Sequence, residues 1–276
     1  MSKDKVTAWV KAKPAPKGAS NGESYDNFMG RWSKLVAPEF VGWLGVERDK
    51  RWLDLGCGTG VLTRAILESA SPTLVRGIDP TEDYIAYARD NFIADSRASF
   101  SNGGHQDLHS LGETFDVVVA GLMLNFADNP EDAVSAMRSV AVDNGVIGAY
   151  VWDYNQKMDA LRHFWEAVVE LDSNASPFHE SRRFKINDFR ALEQFFQTAG
   201  VRDIETHAIE VSIVYSSFDE YWIPFSGGQG PAGVYFTSLD KSKRVELEKI
   251  MKQRIITDSN GAFKLEARAM AIKGRK

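Results

Sequence analysis

Trp52-Leu-Asp-Leu-Gly-Cys-Gly-Thr-Gly60 is the stretch that decides how this chain is read. Residues 51–55 are short and mostly apolar, as a buried strand requires, and Val61-Leu-Thr-Arg-Ala-Ile-Leu67 continues with helical periodicity. Between them glycine recurs at 56, 58 and 60. A glycine backbone turns tightly and lets a ligand approach with no Cβ in the way. The helix that follows offers free N–H groups and the positive end of its dipole. In open α/β sheets ligands sit beyond the carboxyl ends of the strands, where such a loop lies. A dinucleotide site asks for Gly-x-Gly-x-x-Gly, with pyrophosphate on the helix end. Here the spacing is Gly-x-Gly-x-Gly, preceded by Asp54. A carboxylate repels pyrophosphate and attracts an ammonium, so the loop points to a ligand with an amino-acid end.

Asp79 extends this reading. It follows Gly60 by nineteen residues, in Gly77-Ile-Asp-Pro80 at the end of the next strand. A carboxylate there can accept both ribose hydroxyls, a device that dinucleotide enzymes share. Asp79 therefore indicates adenosine, and Asp54 indicates what the adenosine carries.

Working outward, residues 51–55, 73–78, 98–101, 115–120 and 145–152 read as strands. Residues 60–69, 81–91 and 130–140 read as helices between them. The alternation predicts an α/β fold, a Rossmann-like doubly wound sheet with helices on both faces. Further on, residues 159–171 and 186–199 read as helices, and 201–214 and 264–272 as alternating strands. The stretch 215–262 between those strands reads as an insertion. It carries Tyr221, Trp222 and a glycine-rich loop at 227–231, and is expected to act as a lid. Residues 1–24 are rich in Lys, Pro, Gly and Ser and read as a flexible tail. Residues 25–48 read as N-terminal helices, with Pro38 expected to break the pattern. A single domain is expected over 25–276.

Bulk properties narrow the function. The chain has 276 residues, 43% of them apolar, enough for a sizeable core. The net charge of −5 disfavours a nucleic-acid partner, which usually meets a basic surface. Cys57 is the one cysteine, which fits a reducing compartment. No stretch approaches the roughly 18–20 apolar residues of a membrane span, and the first residues lack the apolar core of a secretion signal. Cytoplasmic residence with no membrane partner is expected.

These stretches, with Tyr25-Asp-Asn-Phe-Met-Gly-Arg-Trp-Ser33, Phe115-Asp-Val-Val-Val-Ala-Gly-Leu-Met-Leu-Asn-Phe126 and Leu265-Glu-Ala-Arg-Ala-Met-Ala-Ile-Lys-Gly274, carry a family likeness. The chain resembles the class I S-adenosylmethionine-dependent methyltransferases, specifically the small-molecule group related to the ubiquinone and menaquinone methyltransferases (type 11). The resemblance runs from about residue 25 to the end. It implies a seven-stranded, mostly parallel sheet whose last strand is antiparallel. It implies S-adenosyl-L-methionine as cofactor and S-adenosyl-L-homocysteine as product. The loop from Asp54 through Gly56, Cys57 and Gly58 to Gly60 would take the methionine end, and Asp79 the ribose. Pro80 and Tyr84 would lie around the adenine, and Ala120 to Leu122 on the sulfonium side. Tyr25 and Arg31 would lie near the cofactor. One position departs from the pattern. The acid that contacts the adenine amine in the family falls on Gly104, which leaves His105, Gln106 and Asp107 to replace it.

Methyl transfer from a sulfonium is an in-line displacement with a neutral leaving thioether. Positioning and exclusion of water supply most of the rate, and a base is needed only if the acceptor must lose a proton. The base candidates are His163, Asp153 and Tyr154. The aromatic content of the surrounding segments predicts a planar or apolar small-molecule acceptor. Three rival readings remain: a cofactor-binding partner without turnover, a nicotinamide oxidoreductase, and methylation of a macromolecule.

Overall fold

The computed structural model describes residues 21–276. Of the tail expected to be loose over 1–24, residues 1–20 lie outside the described residues and 21–24 are helical. The described chain forms two compact units. One holds residues 33–153, 185–210 and 268–276; the other holds residues up to 32, 154–184 and 211–267.

The strands are β1 (Arg51–Leu55), β2 (Leu74–Asp79), β3 (Ala98–Asn102), β4 (Phe115–Gly121), β5 (Ala141–Trp152), β6 (Arg202–Tyr215) and β7 (Phe263–Arg275). They form one seven-stranded sheet in the order β3-β2-β1-β4-β5-β7-β6. β1 pairs in parallel with β2 and β4, β2 with β3, and β4 with β5. β7 pairs antiparallel with β5, with Ala149 opposite Ile272. The chain order reverses between β1 and β4, so the carboxyl ends of those strands flank the switch point where ligands bind.

Sequence dictates these elements locally. Val117, Val118 and Val119 are fully buried at the centre of the sheet, where a strand covered on both faces reads as a continuous β-branched run. The helix Pro130–Val140 starts with proline in its first turn, and the Asn129 side chain accepts from the Glu131 N–H at 3.3 Å. Its buried side chains, Val134 and Met137 among them, join a core with Leu53, Val118, Ile147 and Ile272.

Pro38 does not break the N-terminal helix. Arg31–Leu44 is continuous through it. Pro38 is exposed, so the carbonyl that loses its partner faces water, while Val36, Ala37, Phe40 and Val41 anchor the opposite side. The irregularity lies earlier, where Asp26–Gly30 widens into a π-helical turn.

In the other unit, the stretch 215–262 is built from Phe218–Trp222, Gly230–Ser238, Lys241–Arg254 and the 3₁₀ turn Ile223–Gly227. Phe225 is its keystone. It is fully buried, stacked on Phe164 of the helix Asp159–Leu171 at 4.6 Å between centroids, with Phe28 edge-on at 4.9 Å. No helix among the described residues is long and apolar enough to cross a membrane.

A large aromatic removed from such a centre leaves a cavity that its neighbours refill only in part. Phe225→Ala is expected to cost about 3–5 kcal/mol. Denaturant unfolding should show this as a lower midpoint, and an unchanged midpoint would mean the aromatic cluster does not stabilise this unit.

Candidate cofactor site

The turn after β1 is tied to the end of β2. Gly56 and Cys57 both donate backbone N–H groups to the Ile78 carbonyl, at 2.7 and 3.1 Å. Gly56, Gly58 and Gly60 take φ of 71°, 53° and 88°, values that disfavour side chains. The three glycines have different neighbours. A Cβ at Gly56 would stand 2.6 Å from Met123, and one at Gly60 would stand 2.6 Å from the Phe92 ring. A Cβ at Gly58 would meet nothing within 4 Å. Gly58 is thus the glycine with open space above it, where a ligand can approach the backbone.

This turn brings two carboxylates together. Asp54 is 1% exposed; its Oδ2 accepts from the Thr63 hydroxyl at 2.7 Å, and its Oδ1 has no hydrogen-bond partner. Burial pushes its pKa up to about 7, and the Asp79 charge adds to the rise while the Thr63 hydrogen bond opposes it. Asp79 accepts from the Gly58 N–H at 3.0 Å through Oδ2 and from the Thr81 N–H at 2.8 Å through Oδ1. Burial raises its pKa too, with those two hydrogen bonds working against it. The Cys57 thiol is buried beside both acids and is held well above its ordinary value, first by burial and then by their charges. It therefore stays protonated and inert.

An orphaned, desolvated carboxylate oxygen is costly, and a cation removes that cost. The ammonium of an amino-acid end suits Asp54 Oδ1, and Asp79 at the rim of the turn retains lone pairs for ribose hydroxyls. The residues present therefore fit S-adenosylmethionine, which would bring to this site a methyl group on a positively charged sulfur.

The other expected residues of this unit divide. Tyr84 is partly buried and Pro80 exposed next to Asp79. Ala120 is buried in β4, and Leu122 just beyond it adopts φ of 62° with its N–H on the Tyr150 carbonyl at 2.8 Å. A leucine in that region carries strain of about 1–2 kcal/mol, held by the strands around it. Asp107 is turned back on its own backbone, accepting from the Gly104 N–H at 2.8 Å to cap the 3₁₀ turn His105–Leu111. Gln106 lies closer to Gly104: a Cβ there would be 2.6 Å from its Oε1. The amide thus fills space that a side chain at 104 would take. His105 is partly buried on the same turn. Asp153 accepts from Arg268 Nε at 2.9 Å and from the same guanidinium's Nη2, a buried ion pair that engages this candidate base.

Tyr25, Arg31, Tyr154 and His163 belong to the second unit. Arg31 donates to Glu220 Oε1 at 2.6 Å and lies over the Tyr215 ring, and it holds the Glu220 carboxyl down at about 2. Its carboxylate partner is thus within the protein. His163 is partly buried, and burial followed by the Arg162 charge lowers its pKa, so it is neutral at pH 7. Tyr154 is held well above its ordinary pKa by burial and then by the charges of Glu180 and Tyr25. Sequence reading missed Thr63, which orients Asp54. Thr63 follows the loop at a spacing that puts its hydroxyl over the helix N-terminus, a usable signal.

Residues 53–147 match the methyltransferase-domain family. That segment carries the glycine turn, both carboxylates and strands β2 to β4. The chain is similar to the malonyl-[acyl-carrier protein] O-methyltransferase of Halalkalibacterium halodurans, 30% identical over 98 residues, which is 34% of this chain and 36% of that protein. The chain thus spans about a third of that relative's length. Among solved structures, the fold is similar to Haemonchus contortus phosphoethanolamine N-methyltransferase 2 bound to phosphomonomethylethanolamine and S-adenosylhomocysteine. That likeness has a TM-score of 0.59 at 13% identity, over 98% of this chain and 60% of the other. It is similar also to the plantazolicin methyltransferase BamL bound to a triazolic desmethylPZN analogue and S-adenosylhomocysteine (TM-score 0.54, 16% identity, 98% and 95% coverage).

The Asp54 pKa gives this site a pH signature. A cationic ligand end favours ionised Asp54, so affinity for S-adenosylhomocysteine should rise by up to about tenfold per pH unit from pH 6 to 7 and level off above. Asp54→Asn should bind weakly with that dependence removed. In the ligand-free protein the sign reverses. A carboxyl raised from 3.8 to about 7 on folding loses stability as pH rises between those values. The D54N variant should therefore gain stability relative to wild type across that window. Calorimetry and thermal unfolding at several pH values check both, and a wild-type affinity flat from pH 6 to 7.5 would contradict the assignment.

Proposed function

We propose that this protein transfers the methyl group of S-adenosylmethionine to a small-molecule acceptor with a planar or apolar body, in the cytoplasm. The observation that carries the reading is the orphaned Asp54 oxygen beneath an open glycine turn, with Asp79 at the neighbouring strand end. That pairing suits an amino-acid end joined to a ribose and disfavours a pyrophosphate.

In this proposal Asp54 and Gly58 hold the methionine end and Asp79 the ribose. Gln106 takes the place of the missing adenine acid, presenting an amide oxygen to the adenine amine. His105, Pro80 and Tyr84 line the adenine, and Ala120 to Leu122 face the sulfur. Rate comes from orientation and exclusion of water. The likenesses to a malonyl-[acyl-carrier protein] O-methyltransferase and to the plantazolicin methyltransferase support an acceptor of this kind. The acidic net charge agrees, since it gives nucleic acid no general attraction. Among the base candidates, Asp153 is committed to Arg268 and serves to position the end of β5. His163, lowered by burial and then by the Arg162 charge, lies beside the Arg162–Asp159 and Arg254–Glu166 ion pairs and is neutral at pH 7, the form in which an imidazole accepts a proton.

The test has two parts. Asp79→Ala should weaken S-adenosylhomocysteine binding by about 10- to 100-fold, since it removes charge-assisted hydrogen bonds worth about 1.5–3 kcal/mol, while circular dichroism stays unchanged. Labelled S-adenosylmethionine with a metabolite extract should yield a labelled small product. Cofactor binding without any labelled product favours a binding partner, label in protein or nucleic acid favours a macromolecular acceptor, and binding of a nicotinamide dinucleotide in place of S-adenosylhomocysteine sinks the reading.

A further inference from the structure

Strand order fixes where the base of the proposed ligand falls. An amino-acid end at Asp54 lies on β1, a ribose at Asp79 lies on β2, and β3 is the next strand outward. The base leaves the ribose on the side away from the amino-acid end, toward the loop that follows β3. That loop is tied to the ribose residue itself. Asn102, the last residue of β3, stands opposite Asp79, and its Nδ2 donates to the Asp79 and Pro80 carbonyls at 3.3 and 2.9 Å. The Gly103 N–H donates to the same Asp79 carbonyl at 3.1 Å.

What this loop offers a base is a neutral amide. Gly104 has φ of −127°, an extended value open to any residue, so its backbone does not demand glycine. The space above it is taken by Gln106: a Cβ at Gly104 would stand 2.6 Å from Gln106 Oε1 and 2.9 Å from its Nε2. Both polar atoms of the amide therefore lie where a side chain at 104 would begin. Asp107 is the one acid of the turn His105–Leu111, and it is drawn onto the loop's own backbone. Its Oδ2 accepts from the Gly104 N–H at 2.8 Å, and its own N–H donates to the Gly104 carbonyl at 3.1 Å. The Gln106 side chain is exposed, and a half-turn about its last torsion exchanges oxygen for nitrogen at little cost.

An amide and a carboxylate read a purine differently. The 6-amino group of adenine donates hydrogen bonds, and the 6-oxo group of hypoxanthine accepts them. An ionised carboxylate only accepts, so it suits the amine and opposes its lone pairs to the oxo group. A glutamine amide carries an acceptor and two donors, and one rotation matches it to either purine.

We infer that Gln106 makes the base subsite indifferent to the 6-position of the purine, so that the protein takes the inosine form of its nucleoside ligand as readily as the adenosine form. The inference rests on the cofactor reading proposed above and adds to it the range of bases accepted. Gln106 acts here as a specificity-determining residue, and the departure of residue 104 from the family's acid is what gives it that role.

The test measures affinity by calorimetry with the full chain and two ligands, S-adenosylhomocysteine and S-inosylhomocysteine. They differ only in the base and carry the same charge near pH 7, so general electrostatic effects cancel in the ratio of their affinities. Wild type should bind the two within about threefold of one another, less than the tenfold of a hydrogen bond lost. Gln106→Glu should hold S-adenosylhomocysteine within about threefold of wild type and weaken S-inosylhomocysteine by about tenfold or more, because an accepting group then faces an oxygen. Gly104→Asp should move the ratio in the same direction, since its carboxylate displaces the amide at a backbone angle that aspartate adopts freely. Gln106→Ala should weaken both ligands and leave their ratio at the wild-type value, which a change in loop structure alone would not explain beside the E variant's selectivity. A wild-type preference for S-adenosylhomocysteine beyond about threefold, or a Q106E variant that keeps the wild-type ratio, would overturn this inference alone. Failure of wild type to bind either ligand would overturn the cofactor reading with it.

Discussion

Two backbone N–H groups on one carbonyl organise this protein. The bonds from Gly56 and Cys57 to Ile78 hold the turn after β1 against the end of β2, and the carboxylates of Asp54 and Asp79 come together as a result. Backbone geometry makes this possible, because the left-handed conformations at 56, 58 and 60 are open to glycine and strained for other residues. The electrostatic result is a pair of buried acids, one of them with a free oxygen, in a position where a cation is worth more than anything the protein itself supplies. The sheet core, with its run of buried valines in β4, is the rigid body that keeps the arrangement from relaxing.

Much of this was legible in the chain. Strand, glycine turn and helix announce themselves by period and composition, and the acid at the end of β2 stands at a spacing with a physical reason. The sheet's parallel half follows from alternation alone. Other features rest on tertiary context. Pro38 signals a break, but it sits on the solvent side of a helix pinned by Val36, Phe40 and Val41, and packing overrides the local preference. The strand β5 begins at Ala141, because residues with weak strand propensity are drawn into pairing with Phe115. The replacement for the adenine acid could be narrowed only to 105–107. The fold turns Asp107 back as a cap and sets Gln106 in the space over Gly104.

The base candidates show the limit of reading chemistry from residue types. Asp153, His163 and Tyr154 were chosen because they follow β5 and can titrate. Asp153 is paired with Arg268, Tyr154 is held protonated by burial, and His163 is kept in the neutral form that can accept a proton. Glu180, in a sequence that looks like ordinary surface, is a buried acid whose two oxygens lack a hydrogen-bond partner. What distinguishes it is the absence of partners, and partners are a property of the fold. The two orphaned carboxylates, Asp54 and Glu180, share a cause: each is desolvated further than its own hydrogen bonds can offset.

The central claim is that Asp54 and Asp79 together receive the amino-acid end and the ribose of one ligand. A crystal structure of the protein with S-adenosylhomocysteine tests it most directly. The account predicts the ligand's ammonium on Asp54 Oδ1, its two ribose hydroxyls on Asp79, and backbone contact over Gly58. A ligand bound elsewhere, or one that leaves Asp54 Oδ1 without a partner, would contradict it.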